Sequence, residues 1–153
     1  MENATKALYI SAGVLMGVMI LSLAVMLFSS LQSYVGEYKK QVEFNELNAF
    51  NNKYQQYINT EQKLTIQDIV TAAGTAYEDN SSFNSDPNEW KEVSKNSLYI
   101  GIFLNGNRID QSIKENMKSL LEQNTNKKYK CTASDVKYNS AGRIYEMRFS
   151  EVK

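Results

Sequence analysis

The chain predicts an α+β protein. An N-terminal transmembrane helix continues into an amphipathic helix, followed by a small head with helices and an antiparallel sheet of three or more strands. Three observations predict this. The stretch Ala7–Leu31 carries no charged residue, and no proline interrupts the chain before Pro87. The spacing of apolar side chains then changes from three and four to strict alternation in the last third. The organisation that follows is a tail and transmembrane helix over 1–31, an amphipathic extension over 32–60, and the head over 61–153.

Ala7–Leu31 has only hydroxyls as polar side chains: Tyr9, Ser11, Ser22, Ser29 and Ser30. As a helix rising about 1.5 Å per residue it spans roughly 37 Å, enough for a hydrocarbon core of about 30 Å. The run is too long for the apolar region of a cleaved signal peptide, and MENATK is barely basic, so an uncleaved single-pass anchor is expected. Lys6 and the terminal amine on one side face Lys39 and Lys40 on the other, a near tie under the positive-inside rule. We expect a cytoplasmic N-terminus and an extracytoplasmic head. Tyr9, with Tyr34 and Tyr38 beyond the other end, fits an aromatic belt at the two membrane interfaces. Gly13 and Gly17 form a small-x-x-x-small pair that lets a second helix approach closely. Asn3 reads as an N-cap, and Glu2 and Lys6 stand four apart in the favourable orientation. That reading, a helix start whose charges remain at the headgroups, is the favoured one; the alternative is that Glu2 pairs with a neighbouring subunit's terminal amine.

Beyond the anchor, Leu31, Val35, Tyr38 and Val42 continue the helical spacing. Leu47, Phe50, Tyr54, Tyr57 and Ile58 follow after one phase slip near Phe44 to Asn48. One helix therefore runs from about Asn3 to about Ile58, with Gly36 as the place where it could kink. Asn59–Lys63 breaks the pattern. Thr65 and Asp68 form a capping box for a second helix whose inner face is Ile66, Ile69, Val70, Ala73 and Tyr77. Asn80–Asn88 is a loop, with Trp90 just beyond it packed on the core. Ser97–Leu104 is an apolar, aromatic run ending in the turn Asn105-Gly106-Asn107. Ile109, Ile113, Met117, Leu120 and Leu121 mark a short helix ending near Asn124. Tyr129, Cys131 and Ala133 then alternate with polar residues. Val136 and Tyr138 lead into the turn Asn139–Gly142 and a return strand. On that strand Tyr145, Met147 and Phe149 share the covered face.

Composition removes several function classes. Lysine plus arginine equals aspartate plus glutamate at 17 each, so a polyanion such as nucleic acid finds no basic excess. With no histidine and one cysteine, the ligands of a zinc, haem or iron–sulfur site are missing, and no cofactor is expected. Cys131 lacks the usual histidine activator and suits a small buried residue. Asn105-Gly106-Asn107 has neither the glycines nor the lysine of a phosphate loop. The spacing of Asp79 and Asp86 is not that of a calcium loop. The carboxylates, mostly beside lysines, read as a solvated surface, and no enzymatic activity is expected.

A membrane helix running directly into an amphipathic helix, then an α+β head ending in antiparallel strands, resembles the type IV pilins and pseudopilins of bacteria. The resemblance covers the whole layout and is most specific over Ala7–Ile58. The Gly-Phe junction of the family's precursors does not occur in the sequence, and Glu2 is the only acidic residue ahead of the apolar run. The resemblance implies a structural subunit whose apolar half-helix packs against other copies and whose amphipathic half backs the sheet of a head shown at the cell surface. Glu2, Lys6, Gly13 and Gly17 are then the assembly residues. The partners are membrane lipid and further copies or other membrane subunits. The other reading is a bitopic accessory or binding module of a larger membrane complex.

Overall fold

The computed structural model describes residues 2–58, 63–90 and 98–152. Two compact units divide between Glu46 and Leu47, inside the first helix and within the stretch where the apolar phase slips.

Helix α1 is a single element, Glu2–Gln55, unbroken through Gly36. Asn3 lies within its first turn and does not cap it. Over 2–46 its side chains are almost all exposed; over its last turns Phe50, Asn51 and Tyr54 are buried, as is Tyr57 beyond them. Those four belong to the second unit and pack into its core. Asn51 does so by hydrogen bonding: its amide donates to the Gly142 carbonyl (2.8 Å), and its side-chain oxygen accepts from the Ile144 N–H (3.0 Å).

Helix α2, Ile66–Ser81, begins at the expected capping box. The Thr65 hydroxyl accepts from the Asp68 N–H, and the Asp68 carboxylate accepts from the Thr65 N–H at 2.7 Å. The helix extends past the predicted loop boundary to Ser81, which places Asn80 inside the core. A 3₁₀ turn, Pro87–Glu89, follows, and Trp90 is fully buried, as expected. Its indole N–H donates to the Asn84 carbonyl, and its ring meets Tyr77 edge-on at 5.1 Å.

Among the described residues the sheet has five strands: β1 (Gly101–Leu104), β2 (Asn107–Arg108), β3 (Tyr129–Lys130), β4 (Val136–Tyr138) and β5 (Ile144–Glu151). Strand β5 is central, with β1 then β2 on one side and β3 and β4 on the other. It departs from the all-antiparallel expectation in one pair: β1 runs parallel to β5, Ile102 opposite Met147. A parallel neighbour needs a long crossover. The chain supplies it through β2, the helix α3 (Ile113–Asn124), β3 and β4. The β1–β2 turn has positive φ at both Asn105 and Gly106, the two-residue hairpin geometry that Asn-Gly favours.

Three local readings are corrected. On β5 the buried apolar residues are Ile144, Met147 and Phe149, not Tyr145, Met147 and Phe149. A register shift between Lys137 and Tyr138 leaves Tyr145 as an extra residue opposite β4, and a one-residue bulge exchanges the two faces. Ile109 precedes α3 and hydrogen-bonds back to Ile102 in place of beginning the helix. Ala133 lies in a 3₁₀ turn, Ala133–Asp135, closed by a second capping box from Thr132 to Asp135, so the alternation starting at Tyr129 stops there. Ser97 and Asn59–Gln62 lie outside the described residues.

Candidate membrane and assembly helix

The first unit is built from one helix, and that helix is the candidate site. Its most apolar window has mean hydropathy 2.4, and none of that window is buried, so α1 is long and apolar enough to cross a membrane. The large apolar side chains from Leu8 to Leu31 are each between 57% and 76% exposed. A helix apolar around its whole circumference cannot satisfy water, and its own backbone bonds leave no polar group for lipid to desolvate. The hydroxyls conform to this. Ser11, Ser22 and Ser30 donate to the carbonyls of Ala7, Val18 and Met26, each one turn back. Bonded so, a serine reaches hydrocarbon without an unsatisfied donor.

Of the assembly residues read from the sequence, Lys6 reaches Glu2 within the same helix at 3.1 Å, both side chains well exposed. An exposed pair of this kind stabilises by at most a few tenths of a kcal/mol, about 0.3–0.5. It therefore leaves both groups available to another partner. Gly13 and Gly17 meet open space: a Cβ on either touches nothing within 4 Å. The one-turn spacing puts both on one face, where they form a flat notch. Tyr9, Tyr34 and Tyr38 are exposed near the two ends of the apolar run.

The head holds a different kind of polar chemistry, which the sequence reading missed by treating the carboxylates as solvated. Asp110 is fully buried. One of its oxygens accepts from the Ile102 N–H, the other from the Asn80 amide, and Arg108 binds both, with Nη2 to Oδ2 at 2.9 Å. Arg108 also donates to the Trp90 carbonyl. Asn80 in turn brackets Ile100, donating to its carbonyl and accepting from its N–H at 2.8 and 2.9 Å. Every member is satisfied by another, the arrangement that makes a buried polar network structural. Glu146 is also buried, between Lys137 (2.9 Å) and Arg148 (2.5 Å). Burial alone would raise its carboxyl, but those hydrogen bonds outweigh it and hold the pKa below the usual value. The Tyr54 phenol, buried against Asp79, is shifted strongly upward, first by desolvation and then by the carboxylate.

Cys131 is 3% exposed, and burial pushes its thiol up to about 12, which leaves it protonated and unreactive. Among the described residues no group of three or more Cys, Asp or Glu side chains is arranged to hold a metal ion. A polar depression of about 370 Å³ between Pro87 and α3 is lined by Arg108, whose guanidinium is already engaged by Asp110. The signal for the Asn80–Asp110 network existed in the sequence only as an asparagine at a helix-interior position in phase with Ala73 and Tyr77. Compared with known protein families, with characterised proteins and with solved structures, the chain finds no match.

Proposed function

We propose that this protein is a single-pass, membrane-anchored, non-catalytic structural subunit, pilin-like or pseudopilin-like. It self-associates through its N-terminal helix and presents its α+β head outside the cytoplasm. The observation that carries this reading is the uncovered apolar circumference of α1 from Leu8 to Leu31, continuous with a helix that ends in the head's core. Supporting it are the open notch at Gly13 and Gly17 and a head whose inward-facing ionic groups are paired with one another.

Two measurements test it. A Ser85→Cys variant, changed at an exposed loop position, is treated on intact cells with a membrane-impermeant thiol reagent. Labelling is expected without lysis; labelling only after lysis overturns the exported head. Shearing of surface material is then expected to release filaments that contain the protein. Recovery solely from the membrane fraction sinks the polymer.

One feature of the head favours a second reading, an accessory module for another membrane protein. Phe83 and Leu98 are exposed apolar side chains joined through Arg143, which lies over the Phe83 ring and donates to the Leu98 carbonyl. A stable one-to-one complex with a different membrane protein after detergent extraction, without filaments, supports this module over the polymer.

A further inference from the structure

Side chains along one side of α1 enclose shallow, open hollows. Two shallow apolar depressions of about 420 and 390 Å³ share Phe28 and Gln32 and form one groove from Leu21 to Lys39, wholly within the first unit. Steps of three and four along this side, from Leu21 through Ala24, Phe28, Leu31, Val35 and Tyr38 to Val42, meet only apolar residues. That is the 3.5-residue repeat of a seam two helices share at a small crossing angle. Continued toward the N-terminus by the same steps, it reaches Gly17.

We propose that this groove seats the same groove of a second copy, the two helices parallel and in register. The inference rests on the anchored, self-associating reading above and specifies which face associates.

Lipid does not account for the far end of the seam. With Leu31 at the hydrocarbon boundary, a rise of about 1.5 Å per residue places Tyr38 roughly 10 Å and Val42 roughly 16 Å beyond it, so that of Tyr34 and Tyr38 only Tyr34 stays within the interfacial belt. The headgroup layer is only about 5–8 Å deep on each side. Tyr38 is nonetheless 61% exposed and Val35 44% exposed, while Val42 is half-buried within its own chain. Apolar side chains in water at that height gain from burial, whereas those within lipid gain nothing hydrophobic from meeting another helix.

The membrane selects a second copy as the occupant. Two copies inserted with one orientation hold their apolar runs at one depth, so each seam meets its own image with no stagger. The flanks of a parallel pair are compatible with this: Lys39 falls beside Tyr34 of the second copy, and Glu46 beside Gln41, so no like charges meet. The contact is small. A seam about 32 Å long and about 10 Å wide buries on the order of 300 Å² per copy, against about 800 Å² for a stable soluble interface. The pairing therefore belongs to the membrane, where orientation and depth are already fixed.

The test is disulfide formation in native membranes by full-length chains carrying one added cysteine. The sites are Val35 or Val42 on the seam and Ser33 or Lys40 on the opposite face. The unmodified chain, with its buried Cys131, sets the background. Under mild oxidation, dimer yield at Val35 and Val42 is expected to be several-fold higher than at Ser33 and Lys40. Equal yields at all four sites mean random collision and overturn the seam; so does a preference for Ser33 and Lys40. A lysine-reactive cross-linker on the same membranes separates the two levels. Cross-linked copies without seam disulfides overturn the seam and keep self-association, whereas single copies under both reagents overturn both.

Discussion

At the scale of single residues, the head is specified by a few amides that stand in for strands. Asn80 offers Ile100 the donor and acceptor that a neighbouring strand would, just before β1 begins. Asn51 does the same for Gly142 and Ile144. Replacing Asn80 by Ala leaves a buried N–H and carbonyl of Ile100 without partners and takes a donor from Asp110, at a cost of about 2–4 kcal/mol. That is a large part of the roughly 5–15 kcal/mol that holds a domain together. Chemical denaturation followed by fluorescence of Trp90, the only tryptophan, is expected to show the loss directly. Glu146 and Asp135 give the head a definite response to acid. Hydrogen bonds from Thr132 lead in holding the Asp135 carboxyl below its usual value, as Lys137 and Arg148 do for Glu146. Both folded values lie below the unfolded ones, about 3.9 for Asp and 4.3 for Glu. Their contribution is therefore complete above roughly pH 5 and is lost as the pH falls through the folded values. Glu146→Gln is expected to flatten the acid side of a stability–pH curve measured between pH 7 and 3.

At the scale of elements, what could be read from the sequence divides by the distance over which each signal acts. Helices α1 and α2 and the β4–β5 turn were legible because their causes are local: an uncharged run, a capping box, Asn and Gly at a turn. The parallel pairing of β1 with β5 was not. It is decided by which strand edge is left open after α3, and no spacing within Ser97–Leu104 encodes it. The exchange of faces on β5 was hidden for a related reason, since the bulge at Tyr145 exists only relative to β4. Gly13 and Gly17 were legible as a pattern only: they stand four apart, and a Cβ at either meets nothing within 4 Å. Leu at either position gains helix propensity by up to about 1 kcal/mol. Its Cβ meets nothing within 4 Å. Gly13→Leu and Gly17→Leu are therefore expected to leave Trp90 fluorescence and head stability unchanged while weakening association several-fold in cross-linking on membranes. Unaltered association in both variants would reduce the notch to an ordinary feature of a membrane helix.

At the scale of the whole molecule, the chain keeps two kinds of chemistry apart. The first unit exposes apolar side chains with no charge between Lys6 and Glu37, and the second unit buries the carboxylates Asp110 and Glu146, each paired with basic side chains. The phase slip near Phe44 to Asn48 is where one apolar stripe ends and another begins, and the boundary between the units falls there. One helix thus carries two apolar stripes on two faces. The stripe is exposed up to Tyr38 and half-buried at Val42, whereas Phe50, Asn51 and Tyr54 are covered by their own head.

The hidden thiol of Cys131 gives this organisation a built-in clock. The thiol is 3% exposed and held near 12 in the folded head. A cysteine in an unfolded chain ionises near 8.5, so at neutral pH opening the head raises the thiolate fraction by roughly three orders of magnitude. Because the chain has no other cysteine, the rate at which the unmodified protein consumes a thiol reagent counts openings of the head around β3 and leaves the apolar helix silent.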